Sequence, residues 1–133
     1  MPPDHFPPGS PQDWMARARA SLRLAEAPKP HGALWEDLCF HAQQAADKAI
    51  KAVLLHKGRP FRYVHDIEEL LTTAEKAGIV VPEDVRGAVG LTEYAVEARY
   101  PGMYEPVSVD EYEQALELAR TVMRWAEVYV GSQ

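Results

Sequence analysis

The chain has 133 residues, 47% of them apolar, and a formal net charge of −6. That mass supports one domain with one core, and the acid excess argues against a broad, non-specific nucleic-acid surface, which needs a basic face. No apolar run approaches a membrane span, MPPDHFPPGSP lacks the basic start and apolar stretch of a secretory signal, and a cytoplasmic protein is expected.

Residues 1–10 hold four prolines and read as a flexible arm, leaving 11–133 as a single helical domain. Ser10 and Pro11 form a helix start, with Ser as cap and Pro in the first turn. The first helix is expected to reach about Ala27, with Trp14, Ala18, Leu22 and Ala25 facing inward. Pro28, Pro30 and Gly32 break it.

The stretch Leu34 to Gly58 is the expected central helix. It is rich in good helix formers. Trp35, Leu38, Ala42, Ala45, Ala49 and Ala52 recur at 3, 4, 3, 4 and 3, so they line one seam. The small side chains let a neighbouring helix approach closely. Cys39 reads as a small buried packing position, and as the single cysteine it cannot form an internal disulfide. His41, Gln44, Lys48 and Lys51 form a second, polar stripe, readable as a solvated face or as the lining of a cleft. Gly58 is the stop.

After the connection GRPFRYVH comes a short third helix, Asp66 to Ala77, ended by Gly78. Pro82 opens a fourth helix, expected to run to Pro101, in which Gly87 and Gly90 either weaken the helix intrinsically or let another helix pack closely. Ser108 to Glu111 is an S-x-x-E capping box. It starts a fifth helix with Tyr112, Leu116, Ala119, Met123, Ala126 and Val130 on one face. Nothing shows strand alternation. The expected fold is all-α: an up-and-down bundle of four main helices plus a short one.

Two places carry candidate chemistry. The connection from His56 to His65 holds Lys57, Arg59 and Arg62 with no acid. It reads either as an anion site, since Arg grips phosphate in bidentate fashion, or as favourable charge at a helix C-terminus. Arg99, Tyr100 and Tyr104 surround a Pro-Gly turn, which suits clasping a phosphate or stacking on a base, and equally suits bracing a loop. The five histidines have no metal-ligand spacing, and no phosphate-cradling glycine loop is present. No metal and no cofactor are expected.

Three segments in order, FHAQQAADKAIKAVLLHKG (Phe40 to Gly58), HDIEELL (His65 to Leu71) and LTEYAVEARYPG (Leu91 to Gly102), resemble the HEPN family. The resemblance runs from about Trp14 to Val130. It implies antiparallel helices, a homodimer or higher homo-oligomer, and a separate minimal nucleotidyltransferase chain as partner. Nucleotidyl transfer itself needs a Gly-Ser followed by paired Asp, and no Asp-x-Asp follows Gly9-Ser10 here.

Many relatives are instead metal-independent ribonucleases with an Arg, four to six residues and a His near the start of the last long helix. Arg99 matches the Arg, but the permitted positions hold Tyr104, Glu105 and Pro106. Arg59 and His65 meet the bare spacing in an earlier loop, away from the family's location. The resemblance therefore implies a non-catalytic subunit that binds a nucleotide or other phosphate-bearing substrate. Arg99, Tyr100 and Tyr104 would form the site, Gln44 and Lys48 would contribute from the long helix, and Arg59 and Arg62 would make a secondary anion site. A ribonuclease toxin and a purely structural oligomerisation module are the alternatives.

Overall fold

The structure is a computed structural model and describes residues 6–95 and 105–131. Among these residues it is all-helical. Helix α1 spans Pro11–Glu26, α2 Trp35–His56, α3 Ile67–Lys76, α4 Glu83–Arg86 and α5 Val109–Val130, with a 3₁₀ segment, Gly87–Tyr94, directly after α4. The expected helical bundle is the observed one.

Local chemistry sets the helix ends. Ser10 accepts from the Asp13 amide at 3.1 Å, and Asp13 reaches back to the Gly9 amide at 2.9 Å. The Gly9 amide holds the Asp13 carboxyl below its ordinary pKa, ahead of the contribution from Arg17. At α2 the Asp37 carboxylate takes the Leu34 amide at 2.8 Å. Gly58 closes α2 at φ +76, which lets the Arg59 amide return to the Leu54 carbonyl at 2.9 Å. Asp66 caps α3, accepting from Glu68 at 3.0 Å. Ser108 caps α5 through the Glu111 amide at 3.1 Å, while the Glu111 carboxylate accepts from the Tyr94 hydroxyl.

Helix α2 packs against α1, α3, α5 and the 3₁₀ segment. Ala42, Ala45, Ala49 and Ala52 of its seam are fully buried, as are Ala46, Ile50, Val53 and Leu54. The last three explain why the helix is covered on more than one side: a wide apolar face needs several neighbours. A fully buried Ile, Val or Leu contributes roughly 1.5–3 kcal/mol through burial. On α5 all six expected positions, from Tyr112 to Val130, are buried. Two polar ties fix α5 along its length. The Tyr112 hydroxyl donates to the Ala25 carbonyl at 2.7 Å, and the Trp125 indole donates to Val80 at 3.1 Å.

On α1 the inward face is Met15, Ala18, Ser21 and Ala25, with Trp14 and Leu22 only half-buried. The fourth helix departs further from expectation. Up to residue 95 it is one α-turn followed by eight residues of 3₁₀, and the rest of its expected length lies outside the described residues. A methyl at Gly87 would make ordinary contact with Leu118, 3.6 Å away, and one at Gly90 would meet nothing within 4 Å. Close packing therefore does not require either glycine, and their weak helix propensity accounts for the loosened segment.

Gly90 lies outside the left-handed region. Gly90→Ala is expected to stabilise the protein by about 0.4–1 kcal/mol, chiefly through the unfolded chain. A higher urea midpoint at unchanged slope is the check. Ala49→Leu, at a position with no exposed surface, is expected to cost about 1–3 kcal/mol by overpacking.

Candidate functional site

Three polar residues of α2 lie inside the protein: Gln43, Asp47 and Lys51 are 0%, 1% and 3% exposed. They are spaced by one helical turn each, so they stack along one line of the helix. Burying charge is costly unless it is paired, and here it is. The Lys51 ammonium lies 2.7 Å from Asp47 Oδ1. Asp47 Oδ2 accepts from Gln43 Nε2 at 3.3 Å and meets His65 Nδ1 at 2.8 Å. Oδ1 has Lys51 as its ion-pair partner but no well-aligned hydrogen bond.

His65 comes from the connection between α2 and α3. A carboxylate only accepts, so the His65 Nδ1 atom carries the proton toward Asp47, leaving Nε2 as the other ring nitrogen. The His65 side chain is 55% exposed. Gln43 Nε2 also donates to the His65 carbonyl at 3.3 Å, so side chain and main chain are both held. Phe61 seals the other side. Its ring meets Trp14 edge-on with centroids 5.8 Å apart. Lys51 Nζ lies 5.7 Å from both ring centroids, within cation–π range.

The outer side of this connection is cationic and aromatic. Tyr63 is 87% exposed and packs edge-on against Phe61 at 5.8 Å. Arg62 reaches Glu69 at 3.0 Å. Arg59 is exposed, and among the described residues its guanidinium has no hydrogen-bond or ion-pair partner. An unpaired guanidinium and an exposed ring on one connection are the groups that a phosphate joined to a flat base would use.

Gln44 and Lys48 sit on the edge of α2 nearer α1. Gln44 Nε2 donates to Gln43 Oε1 at 2.8 Å, and Lys48 Nζ donates to Ser21 Oγ at 2.9 Å. Gln44 is thus connected to His65 through Gln43, and Lys48 neighbours both Asp47 and Lys51. Gln44 and Lys48 lie midway along α2, and the Arg59–Arg62 connection follows its C-terminal end. Lys51, read from sequence as part of a solvated or cleft-lining stripe, is instead buried, because Asp47 one turn earlier neutralises it. Arg99, Tyr100 and Tyr104 lie outside the described residues.

Gln43 and Asp47 are the site residues that periodicity missed. Their signal was present: Gln43, Asp47 and Lys51 repeat every four residues within an alanine-rich helix. No group of three metal-binding side chains occurs among the described residues. None of the described helices is long and apolar enough to cross a membrane.

A central helix carrying a buried acid–amide–lysine line, clamped by a histidine from the following loop, defines a helical bundle domain with one polar end. The HEPN domain family model matches residues 11–129, and the chain belongs to that family. Two solved structures are similar. One is TT1696 from Thermus thermophilus, 32% identical with a TM-score of 0.74, covering 90% of this chain and 97% of that one. The other is ST0689, an archaeal HEPN homologue, 26% identical with a TM-score of 0.73, covering 91% and 98%. No curated protein matches.

Removing one partner of a buried pair leaves an uncompensated charge. Asp47→Ala is expected to cost about 3–5 kcal/mol. The double variant Asp47→Asn with Lys51→Met is expected to lose less than the sum of its single variants, as read by urea unfolding of all three.

Proposed function

We propose that this HEPN chain is a binding subunit for a nucleotide or another phosphate-bearing substrate, acting as a homodimer with a separate minimal nucleotidyltransferase. The observation that carries the reading is the connection after α2. The Arg59 guanidinium has no partner among the described residues, Tyr63 is almost fully exposed, and the segment bearing them is fixed from beneath by the bond between His65 and Asp47. Arg59 would hold phosphate and Tyr63 would stack on a base. Lys48 would add positive charge from α2. Arg99, Tyr100 and Tyr104, the main ligand residues expected from sequence, remain proposed ligand residues, and Gln44 would contribute from α2. Family membership supports partnering and assembly, and light scattering across a concentration series is expected to give a dimer mass.

Isothermal titration with nucleoside triphosphates, alone and with the nucleotidyltransferase present, tests the reading. Binding is expected, and Arg59→Ala is expected to weaken it tenfold or more, since a charge-assisted bond contributes roughly 1.5–3 kcal/mol. Tyr63→Ala is expected to weaken it by a similar factor through lost stacking. No heat under either condition counts against it.

One observation favours a second reading, a metal-independent ribonuclease. Asp47 holds Nδ1 of His65, the arrangement that prepares an imidazole for proton transfer, and Arg59 precedes that histidine at the family's spacing. On this reading purified protein cleaves RNA in the presence of a chelator, and Arg59→Ala stops it. Intact RNA in that assay excludes it.

A further inference from the structure

The arginines of the connection after α2 stand in different states. The Arg59 guanidinium has no partner among the described residues. Arg62 Nη1 donates at 3.0 Å to Oε1 of Glu69, in the first turn of α3.

That ion pair is not what holds the connection in place. The Arg59 amide returns to the Leu54 carbonyl, Phe61 packs on Trp14, and His65 is held by Asp47 and Gln43. The α3 start is capped by Asp66, which accepts from the Glu68 and Glu69 amides. The Arg62 side chain is 77% exposed, and an ion pair so open to water adds little to stability. Its consequence lies in what the guanidinium is free to bind. A carboxylate and a phosphate take the same N–H donors of an arginine. Glu69 therefore occupies the group that a ligand phosphate would use.

We propose, building on the phosphate reading of this connection, that Glu69 is a resident competitor for Arg62 and that the site selects a terminal phosphate, which can displace it. A terminal phosphate carries about −1.5 to −2 charges near pH 7 and has three acceptor oxygens. The bridging phosphate of a diester carries a single charge, as the Glu69 carboxylate does, so that exchange gains little. The pair is weak enough to open for the first ligand and strong enough to hold off the second. Glu68, the neighbouring acid of the same turn, is exposed, and its carboxylate has no partner among the described residues. It gives a control of equal charge.

The test is isothermal titration of the full chain with adenosine monophosphate and with cyclic adenosine monophosphate, its diester counterpart. The unmodified chain is expected to bind the monophosphate several-fold more tightly than the cyclic diester. Glu69→Gln is expected to tighten the monophosphate about two- to five-fold, the range an exposed ion pair contributes. Glu68→Gln is expected to change it less, and the gain from Glu69→Gln is expected to vanish in the Arg62→Ala background. A Glu69→Gln chain that binds no more tightly than the unmodified one overturns the proposal. So does an equal gain from Glu68→Gln, a gain that survives Arg62→Ala, or a cyclic diester bound as tightly as the monophosphate. Binding that depends on Arg59 yet is indifferent to Glu69→Gln removes the competitor role and leaves the phosphate reading standing, whereas no heat with any of these chains overturns both.

Discussion

A single buried carboxylate organises the polar end of this bundle. Asp47 has 1% of its surface exposed, yet it ties its own helix, through Lys51 and Gln43, to the following connection, through His65. A charge in that position is tolerated only while its partners stay in place. The same requirement makes it a positioning device, because any movement of the connection from Phe61 to His65 leaves the carboxylate undersatisfied. The aromatic pair Trp14 and Phe61 acts in the same direction by excluding water and covering Lys51.

The apolar part of the fold surrounds this point without depending on it. Alanines along α2 allow α1 and α5 to approach closely, and the buried face of α5 completes the core. Hydrogen bonds from Tyr112 to Ala25 and from Trp125 to Val80 set the position of α5 lengthwise. Burial raises the pKa of Tyr112 and, more strongly, of Tyr94, whose hydroxyl also donates to Glu111. Both tyrosines therefore hold their protons longer when folded than when unfolded. Their contribution is complete below about pH 10, the ordinary tyrosine value, and declines as pH rises beyond it.

Much of this architecture was legible from spacing. The seam from Trp35 to Ala52 has helical period, and Ser10, Gly58, Gly78 and Ser108 mark helix ends by well-understood backbone chemistry. The fourth helix was less legible, because two glycines lower helix propensity without saying whether the chain loosens to 3₁₀ or tightens against a neighbour. The site was legible only in pieces. Arg59 and Arg62 stood out as a basic run, and Gln44 and Lys48 as a stripe. Asp47 did not stand out, since periodicity ranks a carboxylate as outward-facing by default. Its partner His65 is 18 residues away, and no local pattern encodes that contact.

The Asp47 carboxylate, rather than the apolar core alone, holds the connection between α2 and α3 through His65. Hydrogen–deuterium exchange on Asp47→Asn, compared with the unmodified chain under conditions where both are folded, tests it most directly. Faster exchange is expected across residues 59–67, with α1 and α5 unchanged. Unaltered protection of 59–67 would contradict it.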